Sequence, residues 1–550
     1  MAYGRERVGL TRRSFLWRWG VVGGVLAVSG LIAACGGAPA SPEAKPTEAP
    51  KPAAPAPTTA PAAAATTAPA AGTKPAATTA PAQTGKKKYE GVTLKYAAIA
   101  SMGAGVEQIL TPWLEETGLK IERGQFEQQE ITDKLMQAMA TNTHLADVVQ
   151  FESNSAGDIM GSGFLLELPK ETRDKLDWDD IAPAYRDRLL TWNGKAYASP
   201  FDGDTHHLVF RRDLAEDPAN QQKFKAKYSY DLNPKTGPLT WDEHRNWAEF
   251  FTGWDWNKNG KDDDYGFAHM TKRKDTAYWG FVSRVSSLAK HPEEPGFFFD
   301  LETGEPRINN PAWVRALTEW KEELEKWAPR GVLAYGWGEV IQAFTGGQVA
   351  MNIGWDGAVA NSKDSAAHNK DGYNILPGSK EVYNPKSKKW DTLSSPNYAP
   401  FMAFGGWMMA VPKTTKIAEV AWDMILQVTN REQSNKMAFA GISINPVRVG
   451  QLEPKGWVDG ALKFDQTAAE QYTSALKRTM DSPNTIWDLR IPGWTQYRDA
   501  LELGVSKGLA GEAPPQAALD EAAQTFSQIT NRLGGPKKQM ENYKAAIGAK

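Results

Sequence analysis

Apolar and polar residues alternate over residues 91–99, where Val92, Leu94 and Tyr96 are separated by Thr93 and Lys95, predicting a first strand. Residues 106–117 read as a helix, in which Pro112 is tolerable only in the first turns. A second strand starts at 119–121. Residues 130–140 place Ile131, Leu135, Met136 and Met139 on one helical face. Residues 147–151 form a short β-branched run. The order β-α-β-α-β predicts a parallel, doubly wound sheet. Further on, amphipathic helices at 311–327 and 417–429 lie between short strands at 349–353 and 407–411. No internal repeat is visible. The body is α/β.

The pattern breaks down before residue 89. Residues 36–88 are Pro, Ala and Thr with scattered Lys and no apolar period, so they cannot bury enough to offset chain entropy. Prolines favour an extended run, at about 3.1 Å per residue, so this tether reaches on the order of 100 Å. Ahead of it, Arg12, Arg13, Phe15 and Leu16 precede an apolar stretch at 21–34 that is too short and glycine-rich for a membrane span. The arginine pair resembles a twin-arginine export signal, and Leu31-Ile32-Ala33-Ala34-Cys35-Gly36 resembles a bacterial lipobox. That resemblance implies a signal peptide (1–34) removed on export, Cys35 lipidated, and a body held outside a membrane.

Composition sharpens this division. The 550 residues carry 63 Lys+Arg against 65 Asp+Glu, a formal charge of −2. Residues 1–34 are basic through five arginines, Arg5, Arg7, Arg12, Arg13 and Arg18, and residues 35–88 through lysines, so the body itself is acidic. An acidic body excludes a general nucleic-acid binder. Cys35 is the one cysteine, so neither an intramolecular disulfide nor a cysteine zinc module can form. A surplus of tryptophan, 21 in all, is the other departure from average usage.

Motifs then give a family resemblance. Residues 131–140, Ala146 to Val149 and Gly163 to Leu168 resemble the N-terminal lobe of the family 1 extracellular solute-binding proteins, the carbohydrate receptors of ABC importers. Asn193 to Asp204 with Phe210 to Leu214 resembles the family's first interlobe crossing, and Leu239-Thr240-Trp241-Asp242-Glu243 its helix start. Residues 343–351, Gly405-Gly406-Trp407, Asn445 to Arg448 and the stretch from Leu509 to Asp520 continue the series in family order across about 91–530. The resemblance implies a two-lobed, hinged α/β fold of periplasmic-binding-protein type II. Its segments would be 89–201 and 401–445 in lobe 1, and 202–400 and 446–550 in lobe 2. It implies a monomer that closes on a carbohydrate and is read by ABC permease subunits, without covalent chemistry.

A pyranose presents hydroxyl edges and an apolar C–H face, which want carboxylates, amides or arginine and flat rings respectively. At positions matching the family's contacts stand Glu152, Asp202, Asp204, Trp355, Asp356, Trp407, Arg448, Trp494 and Tyr497. Asp204 matches the acidic ligand position better than Asp202. Their structural readings are core Trp and turn-forming Asp. Separately, Asp255, Asn257, Asn259, Lys261 and Asp263 follow EF-hand spacing, with Gly260 at position 6. Position 12 is Gly266, so Asp262 or Asp264 would have to supply the missing acid for a structural calcium. His206 and His207 are adjacent, a spacing unsuited to a shared metal. Two rival functions remain open: a carbohydrate-active enzyme using paired carboxylates, and a receptor for a peptide or polyol phosphate. The phosphate would need converging basic residues, for which Arg448 and Arg490 are the candidates.

Overall fold

In the computed structural model the described residues are 87–100, 103–355, 362–442 and 444–549. The arginine pair, the apolar run, Cys35, the tether up to residue 86, and Asp356 lie outside them. Among the described residues no helix is long and apolar enough to cross a membrane.

Strand β1 (Thr93–Ile99) buries Leu94 and Tyr96 as the alternation requires. Helix α1 (Gly103–Thr117) begins three residues before the expected start, so Pro112 sits well inside it and the Gln108 carbonyl lacks its helical donor. Strand β2 (Lys120–Phe126) runs parallel to β1 in register Thr93↔Lys120 through Ile99↔Phe126. Helix α2 (Gln128–Thr141) turns Ile131, Leu135 and Ala138 inward and stops at Asn142, whose left-handed backbone (φ 51°) terminates it. Strand β3 (Val148–Glu152), buried at every position, pairs parallel with β1. The β-α-β-α-β unit is present.

The chain then leaves this sheet. Strand β4 (Ala198–Pro200) is followed by β5 (His207–Arg211), β6 (Tyr265–Ala268), helix α3 (Ala277–Ala289), α4 (Pro311–Trp327), β7 (Val349–Gly354) and β8 (Asp371–Asn374). Helix α4 spans the range the periodicity indicates because both ends are set locally: Asn310 caps the Ala312 N–H, and Pro311 occupies the first turn where no donor is needed. The short pair β9 (Phe401–Met402) and β11 (Ile486–Trp487) flanks the return of the chain through β10 (Trp407–Ala410). Helices α5 (Ala418–Thr429), α6 (Gln466–Asp481), α7 (Trp494–Ala510) and α8 (Pro515–Arg532) complete the elements used below.

Two sheets organise these elements. The first has order β2-β1-β3-β10-β4 and the second β8-β5-β7-β6. The first sheet is not wholly parallel as predicted, since β10 is antiparallel to both β3 and β4. The reason is connectivity: β10 enters from the second sheet rather than through a right-handed crossover. Each sheet with its helices is a lobe. The chain passes between them at 201–206, 403–406 and 445–453, and residues 486–493 lie alongside.

Candidate functional site

The site is built where those passages meet the end of β3. Trp407 faces Glu152 in the β10–β3 register. The turn after Glu152 is tied to the return passage, with the Ser153 N–H donating to the Gly406 carbonyl (3.0 Å) and the Ser153 hydroxyl to the Phe404 carbonyl (2.6 Å). Phe404, Gly405 and Gly406 are three consecutive left-handed residues, with φ of 66°, 70° and 93°. Glycine is required at 406, because a Cβ there would lie 1.9 Å from the Asp202 carbonyl oxygen. Phe404 has no such freedom, and its strained backbone is held by its N–H donating to Asp488 Oδ2 at 3.1 Å.

Lobe 2 contributes a wall of rings. Trp279 on α3 lies 5.7 Å from Trp355, 5.5 Å from Phe404 and 6.2 Å from Trp494, centroid to centroid. Trp355 packs 4.3 Å from His206, and Tyr278 5.1 Å edge-on to Trp494. The polar edges of most of these rings are spent inside the protein. Trp355 Nε1 donates to the Ala403 carbonyl (2.9 Å), Trp279 Nε1 to Asp488 Oδ2 (2.7 Å) and the Tyr278 hydroxyl to Asp488 Oδ1 (2.8 Å). Burial lifts the Asp488 carboxyl above the usual carboxylate range, against these donors, which favour its charged form. Trp494 differs: its indole nitrogen is buried without a partner among the described residues.

Lobe 1 contributes polar groups. Glu152, Ser153, Asn154 and Ser155 are all buried where β3 ends against α7. Neither the Asn154 amide oxygen, its nitrogen, nor the Ser155 hydroxyl has a partner among the described residues. Unmet buried polar atoms are costly, so these are candidates to receive hydrogen bonds from a ligand. Behind them Arg490, buried, donates to three carbonyls: Ser153 (3.0 Å), Arg188 (3.1 Å) and Leu189 (3.0 Å). Desolvation lowers it to about 10, with the Asp488 charge opposing. Its donors fix backbone and do not form an anion clamp.

Asp202 and Asp204 sit in the first passage, and Asn445 of the third passage grips both. The Asn445 backbone N–H donates to Asp202 Oδ1 (2.6 Å), and its side-chain nitrogen to Asp204 Oδ1 (2.8 Å). Among the described residues no basic group contributes to either carboxylate's environment. Burial pushes Asp204 up to about 7, and burial plus the neighbouring charge raises Asp202 well above the usual range. The pair therefore retains a proton near neutrality.

Of the sequence candidates, Glu152, Trp355, Trp407 and Trp494 meet at this junction, with Asp202 and Asp204 on the adjoining passage. Two lie elsewhere. Arg448 is a buried strut, donating to Asp180 (3.2 Å) and to the carbonyls of Leu176 (3.0 Å) and Thr429 (2.7 Å). Tyr497 is core between α7 and α8, its hydroxyl 2.9 Å from that of Thr530 and its ring 4.9 Å from Phe526. Sequence reasoning passed over Asn154, Ser155, Trp279 and Asp488. Asn154 and Ser155 lie beside Glu152 and Asp488 beside Arg490 in the chain, while Trp279 has no such neighbour.

In the acidic loop the oxygens are nested on backbone donors. Asp255 accepts from the N–H groups of Asn259 (2.8 Å) and Gly260 (2.9 Å), Asn257 Oδ1 from Asn259 (2.9 Å), and Asn259 Oδ1 from Lys261 (2.9 Å). Asp264 is buried and turned to the Asn257 N–H (2.8 Å), away from the role of replacement acid. Among the described residues no three of His, Cys, Asp and Glu gather as a metal cluster. His206 is paired with Ser283 (2.7 Å), and His207 packs on Tyr472.

Comparison with known proteins places this geometry. The family model for bacterial extracellular solute-binding proteins matches residues 108–463. The chain is 24% identical over 376 residues to a probable amino-acid ABC transporter periplasmic-binding protein of Sinorhizobium fredii, covering 67% of this chain and 75% of that one. It is similar in fold to an ABC transporter solute-binding protein of Agrobacterium radiobacter K84 in complex with ribitol (TM-score 0.62, 22% identity, 80% of this chain and 100% of that one). It is also similar to maltose-bound MalE3 of T. maritima (TM-score 0.61, 19% identity, 80% and 100%).

Proposed function

The chain belongs to the bacterial extracellular solute-binding proteins, and we propose that it captures a sugar or polyol between its lobes and delivers it to the permease of an ABC importer. It is an extracytoplasmic binding protein, not an enzyme. The observation that carries the ligand class is that a cluster of rings around Trp279 and the buried polar atoms of Asn154 and Ser155, without partners among the described residues, both adjoin the junction of the passages. Rings stack on a C–H face, and amides and carboxylates meet hydroxyls. The similarity to proteins bound to ribitol and maltose supports the same class. Ligand contacts fall to Glu152, Asp202, Asp204, Trp355, Trp407 and Trp494, joined by Asn154 and Ser155, and Asp356 follows Trp355 in the chain. Closure is driven by the ligand's higher affinity for the closed lobes.

The body is a monomer tethered by residues 35–88 to a lipidated Cys35, after export by the arginine-pair signal. Its lobes divide near residues 201, 400 and 445, a reading the passages between sheets support. A structural calcium sits in the 255–264 loop, on oxygens of Asp255, Asn257, Asn259 and Asp263 and the Lys261 carbonyl. Each nested side-chain oxygen there keeps a second lone pair for the ion.

A thermal-shift screen over pentitols, hexitols, mono- and oligosaccharides and amino acids tests the ligand class, since binding to the native state raises Tm. Saturable shifts with sugars or polyols are expected. Shifts with amino acids alone would sink the reading. Repeating the screen with EDTA and then calcium tests the loop, and an unchanged Tm would remove the ion.

A further inference from the structure

We propose that Asp488 is a positioning residue of the solute site, holding the Tyr278, Trp279 and Phe404 rings so that these three meet the ligand with their faces alone. The proposal rests on the site assignment above and deepens it. Asp488 is buried, and its two oxygens collect donors from three separate parts of the chain. Oδ2 takes the Trp279 indole N–H (2.7 Å) and the Phe404 backbone N–H (3.1 Å); Oδ1 takes the Tyr278 hydroxyl (2.8 Å) and the Leu489 N–H (3.3 Å).

Two consequences follow. First, the indole and phenol edges are consumed, so what those rings still offer is π-face, which selects C–H groups over hydroxyls. Second, the carboxylate holds Phe404 in its left-handed conformation, which fixes a ring 5.5 Å from Trp279, 6.1 Å from Trp355 and 5.5 Å from Trp407. A bulky residue at φ 66° persists only where its surroundings over-determine it. The hydrogen bond between Asp488 and Phe404 comes from that strained peptide's N–H. Arg490, two residues on, contributes charge nearby, but its own donors are spent on carbonyls. Asp488 is thus set apart from Glu152 and Asn154. It acts through the rings without presenting an oxygen to the ligand.

The test is a double-mutant cycle in the full chain with Asp488→Asn, Trp279→Phe and the double variant. Affinity for ribitol and for maltose is read by calorimetry, and the aromatic environment by near-ultraviolet circular dichroism. In Asp488→Asn either orientation of the amide sets an NH₂ against two of the donors. Each single change is expected to weaken binding about 10-fold, and the double variant to be weaker by well under 100-fold, because both remove one shared interaction. Additive losses, or an Asp488→Asn protein that binds like the wild type, would overturn the proposal. Trp279→Phe and Asp488→Asn should also lose the same part of the tryptophan dichroism without ligand. Should neither solute bind the wild type, the sugar reading falls while this spectral arm still decides the positioning role. Tyr278→Phe, which removes one donor and keeps the ring, serves if Asp488→Asn does not fold. It should give a smaller loss of the same kind, and an unaltered spectrum and affinity would count against Asp488.

Discussion

The two walls of the site are made by opposite strategies. Lobe 2 assembles Trp279, Trp355 and Tyr278 and then spends their polar edges on Asp488 and Ala403, leaving faces. Lobe 1 does the reverse, burying Asn154 and Ser155 with their polar atoms unmet and using Arg490 to fix the backbone beneath them. A ring face left in water costs about 25 cal/mol per Å² and is relieved by any apolar surface, whereas an unmet amide costs roughly 1–3 kcal/mol until a hydrogen-bonding ligand arrives. Under the proposed function, the aromatic wall would supply affinity, and the polar wall selectivity and the drive to close.

That contrast can be broken at several points. Arg490→Met should have the largest effect, on stability: three carbonyls, two of them buried, lose their donors, costing about 3 kcal/mol, read as a lower midpoint in chemical denaturation. Trp355→Ala should come next and weaken the best ligand of the screen about 100-fold by calorimetry, the effect of truncating an aromatic anchor. Asn154→Ala should weaken it about 10-fold, and should hurt hydroxyl-rich ligands more than deoxy analogues. If Asn154→Ala instead equals Trp355→Ala on every ligand, the division of labour is wrong. Tyr497→Phe should cost about 1 kcal/mol of stability through the lost Thr530 bond and leave affinity unchanged, separating the α7–α8 core from the wall.

The smallest effect concerns pH. The Asp202–Asp204 pair has its folded pKa raised, so its contribution is complete below about pH 4 and is lost as pH rises through about 7. Asp204→Asn should therefore gain on the wild type in Tm by a few degrees between pH 5 and 8, as followed by scanning calorimetry. Buried His207, lowered to about 4, works the other way. Its contribution is complete above about pH 6.5 and fades toward pH 4, so only the difference between variant and wild type isolates the pair.

Much of this architecture was legible locally. A clean apolar stripe starting at Pro311 defined α4, alternation gave the first strand, and a β-branched run gave the third. Pro112 misled because helix α1 draws its stability from packing Val106 and Leu110 into the core rather than from propensity. The orientation of β10 was invisible since its partners lie more than two hundred residues away. Glu152, Trp355, Trp407 and Trp494 could be picked out because motifs bracket them. Trp279 and Asp488, 209 positions apart, carry no local pattern that ties one to the other. Arg448 and Tyr497 have the right chemistry for a sugar, but their polar groups are spent on Asp180, Thr429 and Thr530.

The placement of β10 also constrains how the molecule is made. Strand β10 is the fourth of five in the first sheet, between β3 and β4, yet it emerges from the ribosome only after the whole second sheet. Until then β3 and β4 each offer an open edge with bare backbone donors and acceptors, the kind of surface that recruits stray strands. Such long-range pairing is slow and exposed to aggregation. The first sheet to be started is consequently closed only after every strand of the second has been made, and a chain truncated before Trp407 would leave that seam open.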